Sequence, residues 1–324
     1  MTNQTSPNLV VLGGGTGMPV LLEGLKQYPI GLSTIVTVAD DGGSTGRIRA
    51  ELEIPAPGDI RNVIATLAQV DPELKKLFQH RFSGTNDLSG HSLGNLVLAA
   101  MNSLTGDFHT AVKKVSALFR VEGNIYPIVN GSVILNAVLD DGTIVSGESN
   151  IPVKNKKIDR VFLTPEEMEP IPDVVQAIMD ADVIVISPGS LYTSILANLI
   201  VSGVQQALQQ TSAKVVFVCN IMTQEGETNH YSAIDHVQAI FRHIGDDIID
   251  TIIVHNKPLP VDMIKRYKTE DSIPVLYERE RLEEFGLEVI EADILDYSHP
   301  MVRHDTKVLS DILYNLALRH KEKG

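Results

Sequence analysis

Cysteine is nearly missing from this chain: Cys219 is the only one in 324 residues. That excludes an intramolecular disulfide and any multi-cysteine metal cluster, and a cytoplasmic setting is expected. Positive charge is scarce as well. Lys and Arg number 27 against 41 Asp and Glu, a formal net charge of −14. Such a field opposes docking on phosphate backbones or anionic lipid, so no nucleic-acid partner and no membrane-surface role are expected. Nowhere do 18 apolar residues run unbroken, so no membrane-inserting helix is expected either. Met1 to Asn8 carries no Lys or Arg, and the apolar stretch behind it is broken by Gly13, Gly14, Gly15 and Gly17, unlike a secretory leader. There is no fixed-period repeat and no low-complexity tract.

What is present is ordinary globular composition, 43% hydrophobic and 21% charged. Short β-rich apolar runs at Leu9 to Leu12, Ser33 to Ala39, Val183 to Ser187, Val215 to Cys219 and Thr251 to Val254 alternate with helical patterns. Continuous rather than alternating runs predict strands covered on both faces, hence a mostly parallel sheet between helices, a doubly wound α/β fold. About four helices are expected between Asp59 and Phe119. Ile125 to Leu163 reads as short strands with a hairpin turn at Asp141-Gly142, followed by a helix near Asp173 to Met179. We therefore expect one large Rossmann-like α/β domain over residues 1–324, with an antiparallel extension of its sheet, or a small subdomain within it, at 120–165. A C-terminal helix carries Val308, Leu309, Ile312, Leu313 and Leu316 toward the core.

Several loops carry chemistry. Gly13, Gly14, Gly15, Thr16 and Gly17 follow a strand and precede Pro19, which suits a first helical turn. Such a turn brings backbone N–H groups and a helix dipole to an anion, or is simply a tight connection. Met18 takes the place of the third glycine of the dinucleotide fingerprint, which disfavours a nicotinamide dehydrogenase. At the end of the second strand, Asp40 and Asp41 could hold ribose hydroxyls, or Mg²⁺ with a phosphate; a solvated Asp-Asp turn is the alternative. Gly42, Gly43 and Gly46 would let that loop fold over a ligand, with Arg47 as a forked phosphate donor. Asp59 is a good helix N-cap, while Arg61 and Asn62 behind it could point at a ligand.

In the next segment, Leu93, Leu96, Val97, Ala100 and Leu104 predict one apolar helix face. His91, Asn95 and Asn102 fall opposite, within roughly 40° at ~100° per residue, and Leu98 in that polar stripe hints at a cover. Ser187, Pro188, Gly189 and Ser190 make a second strand-to-helix turn, with N–H groups and the Ser190 and Thr193 hydroxyls as a further anion nest or as caps. Pro188 and Tyr192 stand where a hydrolase elbow needs glycines, so a nucleophilic Ser190 is not expected. Asn220, at another strand end, could read a base or sugar edge. Arg303 could neutralise a diphosphate, or be a surface arginine beside a helix start. His230, His236 and His243 lack metal-ligand spacing.

The ordered set GGGTG, VTVADDGGSTGRIR, PAPGDIRN, GHSLGNL, SPGSLYTSI, NIMTQEGET and RHDTK resembles the YvcK family of gluconeogenesis factors, within the CofD-like (2-phospho-L-lactate transferase) superfamily. The resemblance implies a Rossmann-like three-layer fold with a nucleotide site at the strand ends. Transferase members of that superfamily bind a guanine nucleotide portion and use a divalent metal. Members resembling this chain are linked instead to cell shape and wall synthesis under gluconeogenic growth. They are associated with a UDP-sugar such as UDP-N-acetylglucosamine, and no reaction is established for them. Gly13 to Gly17, Asp40, Asp41, Asn95, Ser187 to Ser190, Asn220 and Arg303 match the family pattern, save that Ser187 replaces a frequent glycine. A nucleotide-sugar-binding regulatory protein, assembled as a homo-oligomer (a dimer), is the expectation. A Mg²⁺-dependent phosphoryl or nucleotidyl transferase, with Asp40 and Asp41 on the metal, is the alternative.

Overall fold

The structure, a computed structural model, describes residues 6–85, 87–267 and 271–322. Its strands are β1 (Asn8–Gly13), β2 (Gly31–Val36), β3 (Asn124–Pro127), β4 (Ile134–Leu139), β5 (Ile144–Ser146), β6 (Ile158–Thr164), β7 (Val183–Ile186), β8 (Lys214–Val218), β9 (Thr251–His255) and β10 (Glu288–Ala292). Its helices are α1 (Gly17–Leu25), α2 (Gly43–Leu52), α3 (Gly58–Leu67), α4 (Pro72–Gln79), α5 (Leu93–Thr105), α6 (Phe108–Leu118), α7 (Pro172–Met179), α8 (Leu196–Leu199), α9 (Ser202–Gln210), α10 (Ala233–Ile244), α11 (Val261–Tyr267), α12 (Arg279–Glu284) and α13 (Thr306–Lys321).

Seven strands form a wholly parallel sheet in the order β10-β9-β8-β7-β1-β2-β3. The central strands are apolar on both faces, and all four residues of β7 are buried, because helices surround the sheet. From β1 the chain proceeds to β2 and β3 on one side and later to β7, β8, β9 and β10 on the other. The topological switch point therefore lies between β1 and β7, where ligands of open α/β sheets bind beyond the carboxyl ends. The α/β expectation holds, with four helices, α3 to α6, where four were expected. Leu309 and Leu313 of α13 are fully buried; beside them a Cβ added at Gly24 of α1 would lie 2.5 Å from the Thr306 carbonyl oxygen, so the two helices approach closely.

Three expectations are corrected. The β-rich region is not an extension of the main sheet: β3 is its parallel edge, and β4, β5 and β6 form a separate antiparallel sheet around the expected Asp141-Gly142 hairpin. β2 stops at Val36 rather than Ala39, because the Arg49 guanidinium takes the Ala39 and Asp40 carbonyls at 3.0 and 2.7 Å. The glycine-rich stretch after it is no folding-over loop. Gly43 already starts α2, whose inner face is Ser44, Thr45, Ile48 and Arg49 at i, i+4 spacing. Among the described residues no single helix is long and apolar enough to cross a membrane.

Candidate functional site

β1 ends on Gly13, and the chain turns through Gly15 at φ +65°, a conformation that favours glycine, before α1 begins at Gly17. Thr16 stands at the N-cap position without a side-chain bond to the first turn. The Gly15 N–H donates to Asp59 Oδ2 at 2.7 Å. Asp59 is therefore no helix cap, since Pro57 holds that position in α3; it binds a turn 44 residues away. Burial lifts the Asp59 carboxyl to about 6, the Gly15 N–H pulls it down and neighbouring Asp40 pushes it up again.

The second turn repeats the design after β7. Asn220, from beyond β8, accepts from the Gly189 N–H at 3.1 Å and donates to the Gly189 carbonyl at 2.7 Å, so its amide is engaged in fastening this turn. The Ser190 hydroxyl accepts from Gln224 at 2.9 Å. The chain then forms a π-type turn, Leu191–Ile195, leading into α8. Here the buried Glu227 accepts the Tyr192 N–H at 3.2 Å and the Thr193 hydroxyl at 3.0 Å, so Thr193 is committed to a carboxylate of the chain itself. The two turns touch: a Cβ on Gly17 would lie 2.2 Å from the Pro188 carbonyl oxygen. Ser187 lies fully buried against Gly13, its hydroxyl without a hydrogen-bond partner.

On the β2 side, Asp40 and Asp41 diverge. Asp40 Oδ1 accepts from the Gly42 N–H at 2.8 Å, and Asp41 Oδ1 from the Ser149 N–H at 2.9 Å. Glu148 sits in the field of Asp40, Glu227, Asp41 and Asp59, and burial with this like charge lifts its carboxyl to about 7. Arg47 is exposed on α2 and donates to the Ser89 carbonyl at 2.5 Å. His91, which showed no partner in the sequence, meets Ser44 at 3.0 Å, and Asn95 donates to the same hydroxyl at 3.1 Å. That buried polar trio inverts the expected helix face: Asn95 and Leu98 of α5 point inward, while Leu104 is 82% exposed. His236 and His243 bond backbone carbonyls of their own helix at 2.8 and 2.7 Å.

Two clefts open at the switch point. One, of about 400 Å³, is lined by Thr16, Gly17, Asn62, Gln79, Arg303 and His304 among others. Its neighbour, of about 530 Å³, shares Thr16, Gly17, Val302 and His304 and adds Gly189, Asn220 and Gln224. Of the sequence-predicted residues, Thr16, Gly17, Asn62, Gly189, Asn220 and Arg303 thus line common space. Gly13, Gly14, Gly15, Asp40, Asp41, Arg47, Asp59, Arg61, Asn95, Ser187 and Ser190 line neither cleft; Arg61 donates to Asn62 Oδ1 at 2.7 Å instead.

The model of the family described as "2-phospho-L-lactate transferase CofD" matches residues 9–295. The chain belongs to the CofD family. Within that family it is 51% identical to a gluconeogenesis factor of Bacillus subtilis over 96% of this chain and 98% of that one. It is 49% identical to the Halalkalibacterium halodurans gluconeogenesis factor over 94% and 95%. A crystal structure of a UPF0052-family protein from Bacillus halodurans superposes with TM-score 0.93 at 48% identity, covering 96% of this chain and 99% of that one.

The resemblance noted in the sequence implies a divalent metal. Among the described residues, no group of three His, Cys, Asp or Glu side chains is placed to hold a metal ion. Asp40 and Asp41 are engaged separately, by the Gly42 and Ser149 N–H groups. Three residues beside these turns were not singled out individually in the sequence: Glu148, Glu227 and the buried Arg49. Glu227 and Arg49 lie inside the quoted motifs NIMTQEGET and VTVADDGGSTGRIR, which were the available signal; Glu148 owes its place to contacts across the chain.

Proposed function

We propose that the double cleft binds a nucleotide sugar, a UDP-sugar such as UDP-N-acetylglucosamine, and that this protein is a cytoplasmic, non-catalytic gluconeogenesis factor relaying carbon supply to wall growth and cell shape. One observation carries the reading: two glycine-bearing strand-to-helix turns meet at the switch point, with Arg303 on the wall of the adjoining cleft that the first turn also borders. Main-chain N–H groups at helix starts favour phosphate oxygens, and in a chain of net charge −14 an anion needs a local cation such as Arg303. The gluconeogenesis-factor relatives support the cellular role.

The transferase name of the family model favours a second reading, Mg²⁺-dependent group transfer from a nucleotide diphosphate. One calorimetric series separates them. UDP-N-acetylglucosamine should bind the wild type with measurable heat, at least tenfold more weakly in Arg303→Ala, with no nucleotide released when Mg²⁺ and a phosphorylated hydroxy-acid acceptor are added. No heat with the wild type overturns the binding reading. Metal-dependent release that is lost in Asp40→Asn establishes the transferase.

A further inference from the structure

Beyond Asn220 lies a third cavity, of about 420 Å³, at the carboxyl ends of β8 and β9. It shares Asn220 and Ile221 with the second cleft, so the two adjoin. Its walls include Cys219, Val254, Leu259, Ile264 and Leu276. Leu276 is 71% exposed there, apolar surface left to water at a pocket wall. The cavity's polar lining comprises Asn220, Asn256, Lys257, Tyr277 and His255, of which His255 is the buried imidazole. The His255 side chain is only 7% exposed; the Lys257 backbone and Asp293 Oδ1, 3.7 Å from Nδ1, lie near the ring, but neither meets it in full hydrogen-bond geometry. Burial lowers the imidazole's affinity for a second proton, so the neutral ring presents one donor and one acceptor. A buried imidazole so loosely paired bears a desolvation cost that a ligand could offset.

Position adds direction. β9 is two strands from β7, roughly 10 Å across the sheet, so the cavity lies within reach of a group carried by a phosphate at the Gly189 turn. On the other side of the switch point, Asp40, Asp41, Asp59 and Glu148 gather like charge, which suits the apolar faces of a base less well. Flat aromatic heterocycles need apolar walls for their faces and a few placed polar groups for their edge, which is what this cavity supplies.

We infer that this cavity is the nucleobase subsite, with His255 hydrogen-bonded to the base edge and the diphosphate held at the two turns. The inference rests on the nucleotide reading of the cleft. Calorimetry of the full chain with UDP and with inorganic pyrophosphate tests each separately. The wild type should bind UDP at least tenfold more tightly than pyrophosphate. His255→Leu should lose most of that advantage while its pyrophosphate affinity stays unchanged, and Leu276→Asp, at an exposed position, should do the same without burdening the fold. UDP affinity unaltered in both variants overturns the base placement and leaves the nucleotide reading standing. Equal loss of UDP and pyrophosphate in both also overturns it, because a general loosening would then be the cause. A wild type that binds neither ligand overturns both.

Discussion

Asp59 and Glu227 hold corresponding turns on the two flanks of the β1–β7 crevice, yet they are supported differently. Glu227 is met by the Tyr192 N–H and the Thr193 hydroxyl. Asp59 receives the single N–H of Gly15 and has Asp40 beside it. Burial raises both carboxyls. The difference separates two uses of one side-chain type: a carboxylate with several donors acts as a clasp, whereas one crowded by like charge becomes sensitive to protons.

The comparison can be broken in four places. Glu227→Ala leaves two buried donors without an acceptor, and urea unfolding should show a loss of about 3 kcal/mol. Glu227→Gln keeps an acceptor and should lose less than half as much; equal losses would mean that the clasp is merely packing. The expected effect at Asp59 is of similar size and has the opposite sign. Folding lifts its carboxyl from 3.8 to about 6, so the folded chain holds the proton more tightly than the unfolded one. Stability from this group is greatest below about pH 4 and falls as pH rises through 6. Asp59→Asn should therefore be more stable than wild type by about 3 kcal/mol at pH 8, with the difference largely gone at pH 4. Unfolding midpoints at the two pH values decide this, and a pH-independent difference would refute the proton-sensitive role. Glu148→Gln should remove a similar slope centred nearer pH 7. Least costly is Asn220→Ala, which unfastens Gly189 from both sides and should cost about 1 kcal/mol in thermal unfolding.

The frame was legible because its signals are local. Apolar runs such as Val183–Ile186 are continuous because the strands are covered on both faces, and glycine clusters mark where β1 turns into α1. The candidate site was legible only in outline. Asp59 follows Pro57-Gly58 and looks like a cap, but its partner Gly15 lies 44 residues upstream, beyond any local pattern. In α5 the apolar count favours the face of Leu93 and Leu104, yet Asn95 turns inward, where its amide N–H finds the Ser44 hydroxyl that His91 also meets. Gly42, Gly43 and Gly46 argued for a loop, whereas Gly46 serves the close approach of α2 to the Asp41 carbonyl, 2.0 Å from where a Cβ would stand. Polar pairing across the chain overrode local propensity in each case.

Val302 and His304 border both of the switch-point clefts, and the stretch between them is tied to the body by the Asp296 N–H to the Arg303 carbonyl and the Asp305 N–H to the Ile294 carbonyl, each at 2.8 Å. The stretch works like the mullion of a double window. Replacing Val302 or His304 redraws two outlines together, so a defect there cannot be ascribed to one chamber. Substitutions at Asn62 or Gln224, each bordering a single opening, are the ones that tell the chambers apart.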